Sequence, residues 1–223
     1  MKKKFDMKIK ILLFSLLFFV NYSQAQQSAK AKQLLDEVNQ KISNYKNIYI
    51  TFKYNLDNIA EKIHQTTKGN ITIMGDLYYV SYLGGIKIFD GKKFYTILPE
   101  DEEINISTED GDDDALIKPS KFFSFYKSGY KLAMGKKISL KGKKIQNVIL
   151  TPLDTDSEVN SIVIGIKIKD KELFRMVENG KNGTITTLMI NKFKKNSPKI
   201  SADLFKVDLE KYKKKGYIIN EAQ

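Results

Sequence analysis

The 223-residue chain contains no cysteine, no tryptophan, a single histidine and four prolines. Without cysteine there is no disulfide, no thiolate metal site and no cysteine nucleophile, and no cysteine for a lipid anchor. One histidine cannot assemble the usual ligand set of a zinc site. That residue, His64, sits in the polar stretch Glu61-Lys62-Ile63-His64-Gln65. The stretch reads as a surface loop between strands, and no Gly-x-Ser-x-Gly elbow accompanies it. The sequence therefore points away from an enzyme and calls for no cofactor and no metal. The acidic run Glu109-Asp110-Gly111-Asp112-Asp113-Asp114 lacks the alternating spacing and distal glutamate of a calcium loop. It reads as a solvated loop, able to meet a basic partner.

Long apolar runs are also absent after the first two dozen residues. Lys2, Lys3, Lys4, Lys8 and Lys10 precede the run Ile11 to Val20, and Asn21 to Ala25 ends in Ser23-Gln24-Ala25. A basic start, a short apolar run and small residues at the cut make residues 1–25 a cleavable signal peptide. The alternative, an uncleaved anchor, has to span with a run shorter than the roughly 20 residues that a bilayer requires. Residues 26–223 then form the exported chain, and with no low-complexity linker they read as a single domain.

The formal charge is +12. Removing residues 1–25 takes away five lysines and Asp6, leaving +8. Such an excess favours anionic partners. Yet the lysines are interleaved with Asp and Glu along the chain, with local clusters at Lys192-Lys194-Lys195 and Lys211-Lys213-Lys214-Lys215. A solvated lysine-rich surface is the plain reading, and export argues against a nucleic-acid role.

Leu34, Leu35, Val38, Ile42 and Tyr45 recur at helical spacing. Near Asn47 the period changes to two. Ile48, Ile50, Phe52, Tyr54 and Leu56 share one strand face, and Ile71 and Ile73 share another. Gly75-Asp76, Gly84-Gly85 and Asp90-Gly91 mark hairpin turns. Pro119-Ser120 opens a helical interruption whose aromatic face carries Phe122, Phe123, Phe125 and Tyr126. Strands resume at Tyr130–Met134, Ile138–Leu140, Ile145–Thr151, Ser161–Ile168, Leu173–Glu178 and Thr184–Phe193. Leu204–Val207 reads as a closing strand. No βαβ rhythm is present, so a doubly wound nucleotide fold is disfavoured. The pattern predicts an α+β protein, mainly β: an incomplete, strongly curved antiparallel barrel of about ten or eleven strands, capped by helices.

The order of these segments resembles the outer-membrane lipoprotein carrier family, LolA. The resemblance rests on the helix Leu34–Tyr45, the strand Ile48–Leu56, the Gly-led hairpin Gly69–Leu83 and the segment Asp90-Gly91-Lys92-Lys93-Phe94. It continues through Ile149-Leu150-Thr151-Pro152, Ser161–Ile168, Glu172–Met176, Asn182–Thr187 and Ala202–Val207. It implies a periplasmic, monomeric carrier that takes acyl chains of lipoproteins into an apolar cavity. Its implied partners are acylated lipoproteins, an inner-membrane release machinery and an outer-membrane acceptor. The candidate lining is Ile50, Phe52, Tyr54, Ile71, Ile73, Phe94, Phe122, Phe123, Phe125 and Tyr126. A lipid-binding or protein-interaction module of the same fold, without lipoprotein transport, is the alternative. Two departures stand out. Family members often place an Arg in the second hairpin strand, where this chain has Tyr78-Tyr79-Val80-Ser81-Tyr82, and its only arginine is Arg175. The tryptophan often found after Asp-Gly is Phe94 here. The Arg-based latch is therefore not carried over.

Overall fold

The computed structural model describes residues 26–108 and 124–221. Helix α1 covers residues 26–43 and is followed by a long β1–β2 hairpin, Ile48–Asn58 and Ile63–Met74. Four short strands come next: β3 (Leu77–Tyr82), β4 (Gly85–Phe89), β5 (Phe94–Leu98) and β6 (Glu103–Ser107). A 3-10 turn at Phe125–Lys127 leads into five longer strands. These are β7 (Tyr130–Leu140), β8 (Lys143–Pro152), β9 (Val159–Lys167), β10 (Glu172–Gly180) and β11 (Ile185–Lys195). A second 3-10 turn (Ala202–Phe205), a short helix α2 (Leu209–Lys213) and β12 (Ile218–Glu221) end the described chain.

All twelve strands join one sheet in the order β12-β6-β5-β4-β3-β2-β1-β11-β10-β9-β8-β7. Every neighbouring pair is antiparallel except β12 on β6. The order does not return on itself, so the barrel is open, as its alternating pattern predicts. The two chain halves meet where β1 pairs with β11, Ile50 opposite Phe193 and Tyr54 opposite Leu188.

Strand periodicity sorts the side chains onto two faces. The inner face, on which α1 packs, carries Ile48, Ile50 and Phe52 with Ile190, Met176, Ile164, Val148, Leu150 and Leu132. Ala31, Leu34, Leu35, Val38 and Ile42 of α1 are buried against it. On the outer face, strands β3–β6 are covered by the C-terminal segment. There Ile88, Tyr95, Ile97, Ile104 and Ile106 pack on Phe205 and on Val207, Leu209, Tyr212 and Tyr217 of the C-terminal segment. One sheet thus has two cores on opposite faces.

Three expectations need correction. Leu204–Val207 is not the closing strand: Ala202–Phe205 is a 3-10 turn that drives Phe205 into the second core. The closing strand is β12, whose four residues are too few to announce themselves by alternation. It also raises the strand count to twelve. His64 lies in β2 rather than in a loop, because the hairpin continues past its hydrophobic part and His64 pairs with Asp57 of β1. Tyr130–Met134 and Ile138–Leu140 form one strand, interrupted by a bulge between Met134 and Lys137 at Gly135. A Cβ at Gly135 would lie 3.0 Å from that of Asn147 on β8, which is why this kink takes glycine.

Candidate functional site

The inner face and the helix lying on it form the candidate site. A small apolar cavity of ≈ 30 Å³ remains between them, lined by Leu35, Val38, Phe125, Tyr126, Ile164, Leu173 and Met176. A water needs about 10–15 Å³ of such space, so this void of ≈ 30 Å³ has room for about two or three waters. This cavity is too small for an acyl chain while α1 stays in place.

Polar contacts at the rim fasten α1 down. The Tyr126 hydroxyl donates to Asp36 Oδ1 at 2.8 Å. Asp36 also accepts from Lys32 at 2.6 Å, and these contacts hold its carboxyl below the ordinary range, Lys32 having the larger effect. Burial, then Asp36, push the Tyr126 phenol well above its ordinary value. Near the other end of α1, Lys41 Nζ donates to the Asp170 carbonyl at 2.5 Å. Lys171 pairs with Glu37 at 3.1 Å. Just beyond the helix, Lys195 Nζ donates to Tyr45 Oη at 3.3 Å. These contacts join α1 and its end to the 125–127 turn, the β9–β10 turn and the end of β11. Arg175 takes no part. It lies on the outer face, its Cγ 2.9 Å from where a Cβ at Gly165 would be. The one arginine therefore makes no contact with α1, which the Tyr126 hydroxyl reaches through Asp36.

Ile50 and Phe52 lie buried beneath α1, with Tyr54 and Ile71 packed at the cluster's border. Ile73 shares their face, opposite Ile48 and Tyr78. Phe125 and Tyr126 line the cavity. Phe122 and Phe123 lie outside the described residues, as does the acidic run 109–114. Phe94 faces inward but belongs to a separate aromatic patch, stacked on Phe89 with ring centroids 4.4 Å apart and 6.4 Å from Tyr78. This patch continues the apolar inner face onto β3–β5. The same apolar cluster takes in α1 itself and Leu132, Val148, Leu150, Ile162, Ile164, Leu173 and Met176, which the early strands alone do not indicate. Their period-two alternation was visible, but which face α1 would choose was not.

Among the described residues no group of three or more His, Asp or Glu side chains is placed to hold a metal ion. No described helix is long and apolar enough to cross a membrane. Among the described residues the fold is an open sheet whose apolar inner face is covered by the amphipathic helix α1. The sequence profile of the outer membrane lipoprotein carrier protein LolA matches residues 22–172, more than half of the chain, and the chain belongs to that family. No curated protein matches it. In fold it is similar to an uncharacterized conserved protein from Thermus thermophilus, with TM-score 0.55 and 13% identity over 86% of this chain and 99% of that one. Weaker likenesses, on which nothing rests, reach a LolA superfamily protein from Nitrosomonas europaea (TM-score 0.43, 8% identity, 80% and 98% covered). Another is LprF from Mycobacterium bovis (TM-score 0.46, 12% identity, 79% and 97% covered).

Proposed function

We propose that this protein is a periplasmic carrier that binds the acyl chains of lipoproteins on its inner face and escorts them from the inner to the outer membrane. The observation that carries this reading is the relation between α1 and the sheet. The helix covers a continuous apolar surface and is fastened at its rim by polar contacts that can be exchanged for water. Lifting it re-exposes Leu34, Leu35, Val38 and Ile42, at about 1.5–3 kcal/mol each, or about 6–12 kcal/mol together. A sixteen-carbon acyl chain regains about 12 kcal/mol at about 0.8 kcal/mol per methylene. One chain therefore roughly breaks even, and two or more win clearly. Multiply acylated cargo is thus favoured over single fatty acids, as a lipoprotein carrier requires.

The alternative, a binding module of the same fold that carries no lipid, is favoured by the small size of the cavity. Gel filtration of residues 26–223 with a lipoprotein and with its unacylated form separates the two. Co-elution of the acylated form alone supports the carrier. Equal capture of both forms, or of neither, leaves the module.

A further inference from the structure

The lysines that look scattered in the sequence are gathered by the topology at one end of the sheet. Strands β7–β11 are five consecutive neighbours, and their connections alternate between two ends. At one end lie the β7–β8 turn with Lys141, Lys143 and Lys144, the β9–β10 turn with Lys167, Lys169 and Lys171, and the end of β11 with Lys192, Lys194 and Lys195. Three carboxylates, Glu37, Asp170 and Glu172, stand among these nine lysines. Glu172 pairs with Lys167 at 2.9 Å and approaches Lys195 at 3.8 Å, and Glu37 pairs with Lys171. Lys141, Lys144, Lys169 and Lys194 are exposed and have no carboxylate partner among the described residues. At the opposite end of the same strands the β8–β9 loop carries Asp154, Asp156 and Glu158.

The basic end is also a built surface. The Ile168 amide donates to the Lys144 carbonyl at 3.0 Å, tying the β9–β10 turn to the β7–β8 hairpin. Lys41 of α1 holds the same turn through the Asp170 carbonyl. Ile168 is 37% exposed among these lysines. An apolar side chain ringed by lysines suits the boundary between anionic head groups and acyl chains.

We infer that this end of β7–β11 docks on a bilayer surface bearing anionic lipid head groups. The docking is electrostatic and reversible, and needs no cargo. It places the end of α1 that Lys41 and Lys171 fasten beside the membrane. The acidic β8–β9 loop is held at the far end, which fixes the orientation of approach.

The test is sedimentation of residues 26–223, free of cargo, with vesicles of phosphatidylcholine alone or mixed with phosphatidylglycerol. Binding to the mixed vesicles only is expected, and it falls steeply as salt rises. Each rim lysine contributes about fivefold in affinity, so Lys144→Gln, Lys169→Gln and Lys194→Gln together weaken binding about a hundredfold. Replacing Lys211, Lys214 and Lys215 by Gln changes the net charge equally and should leave binding nearly intact. Equal losses in the two triple variants, or no preference for the anionic vesicles, overturn the inference. Displacement from the vesicles by inorganic phosphate at equal phosphate concentration and constant ionic strength overturns the assignment to a lipid surface.

Discussion

Replacing Tyr126 by phenylalanine removes one hydroxyl and leaves the ring that lines the cavity. The lost contact is the 2.8 Å bond to Asp36. A hydrogen bond to a charged group is worth about 1.5–3 kcal/mol. Asp36 keeps Lys32, and its side chain is 42% exposed. Solvent and Lys32 therefore reduce the net loss to about 1 kcal/mol. That is about fivefold in the equilibrium between docked and lifted α1. If acyl chains bind the lifted form, as proposed, apparent affinity for a fluorescent multi-acyl probe should tighten by about the same fivefold. Thermal unfolding should shift down by about 2–4 °C. A lower melting temperature with unchanged or weaker probe binding would refute the reasoning, since the bond would then support the fold without holding α1 shut.

The same bond sets a pH dependence. Tyr126 titrates higher in the folded protein than its free value of 10.0, so its contribution is complete below about pH 10 and is lost as pH rises through the folded value. The stability advantage of the parent protein over Tyr126→Phe in urea unfolding should therefore shrink above about pH 10. Asp36 acts on the acid side: its depressed value means a contribution present above 3.8 and lost as pH falls through the lower folded value, readable as acid-induced probe uptake. At Gly69 an added Cβ would lie 2.7 Å from the Ser81 carbonyl oxygen and against the Phe52 ring. Gly69→Ala should cost about 1–3 kcal/mol in urea unfolding. Phe205 is 1% exposed in the second core. Phe205→Ala should cost about 3–5 kcal/mol in the same measurement.

Much of the fold is legible in the sequence because its signals are local. The stripe Leu34-Leu35-Val38-Ile42 is a helix in outline, and the alternation of Ile48, Ile50 and Phe52 is a strand with one buried face. Turns at Gly75-Asp76 and Asp90-Gly91 announce themselves. What stayed hidden is set by distant partners. Tyr126 and Asp36 are separated by 90 residues, and neither carries a motif that names the other. β12 is short and mostly exposed, so its pairing with β6 leaves no periodic trace. Phe94 looks like any inward strand residue. That it stacks on Phe89, away from α1, follows from the β4–β5 pairing that sets the two rings opposite each other. The lysines are hidden in the same way. Spacing along the chain disperses them, and the reversal of successive strands brings them together.

The claim that α1 and acyl chains compete for one apolar face has a direct test. Glu37 on α1 and Lys171 in the β9–β10 turn are 3.1 Å apart at their charged tips and both are half exposed. The chain has no cysteine, so Glu37→Cys with Lys171→Cys introduces the only two thiols. A short bis-maleimide with a reducible centre then pins the helix to the sheet. The pinned protein should bind no multi-acyl probe, and reduction of the linker should restore binding to the level of the uncrosslinked double variant. Undiminished binding in the pinned state would contradict the account, because acyl chains would then be held somewhere other than beneath α1.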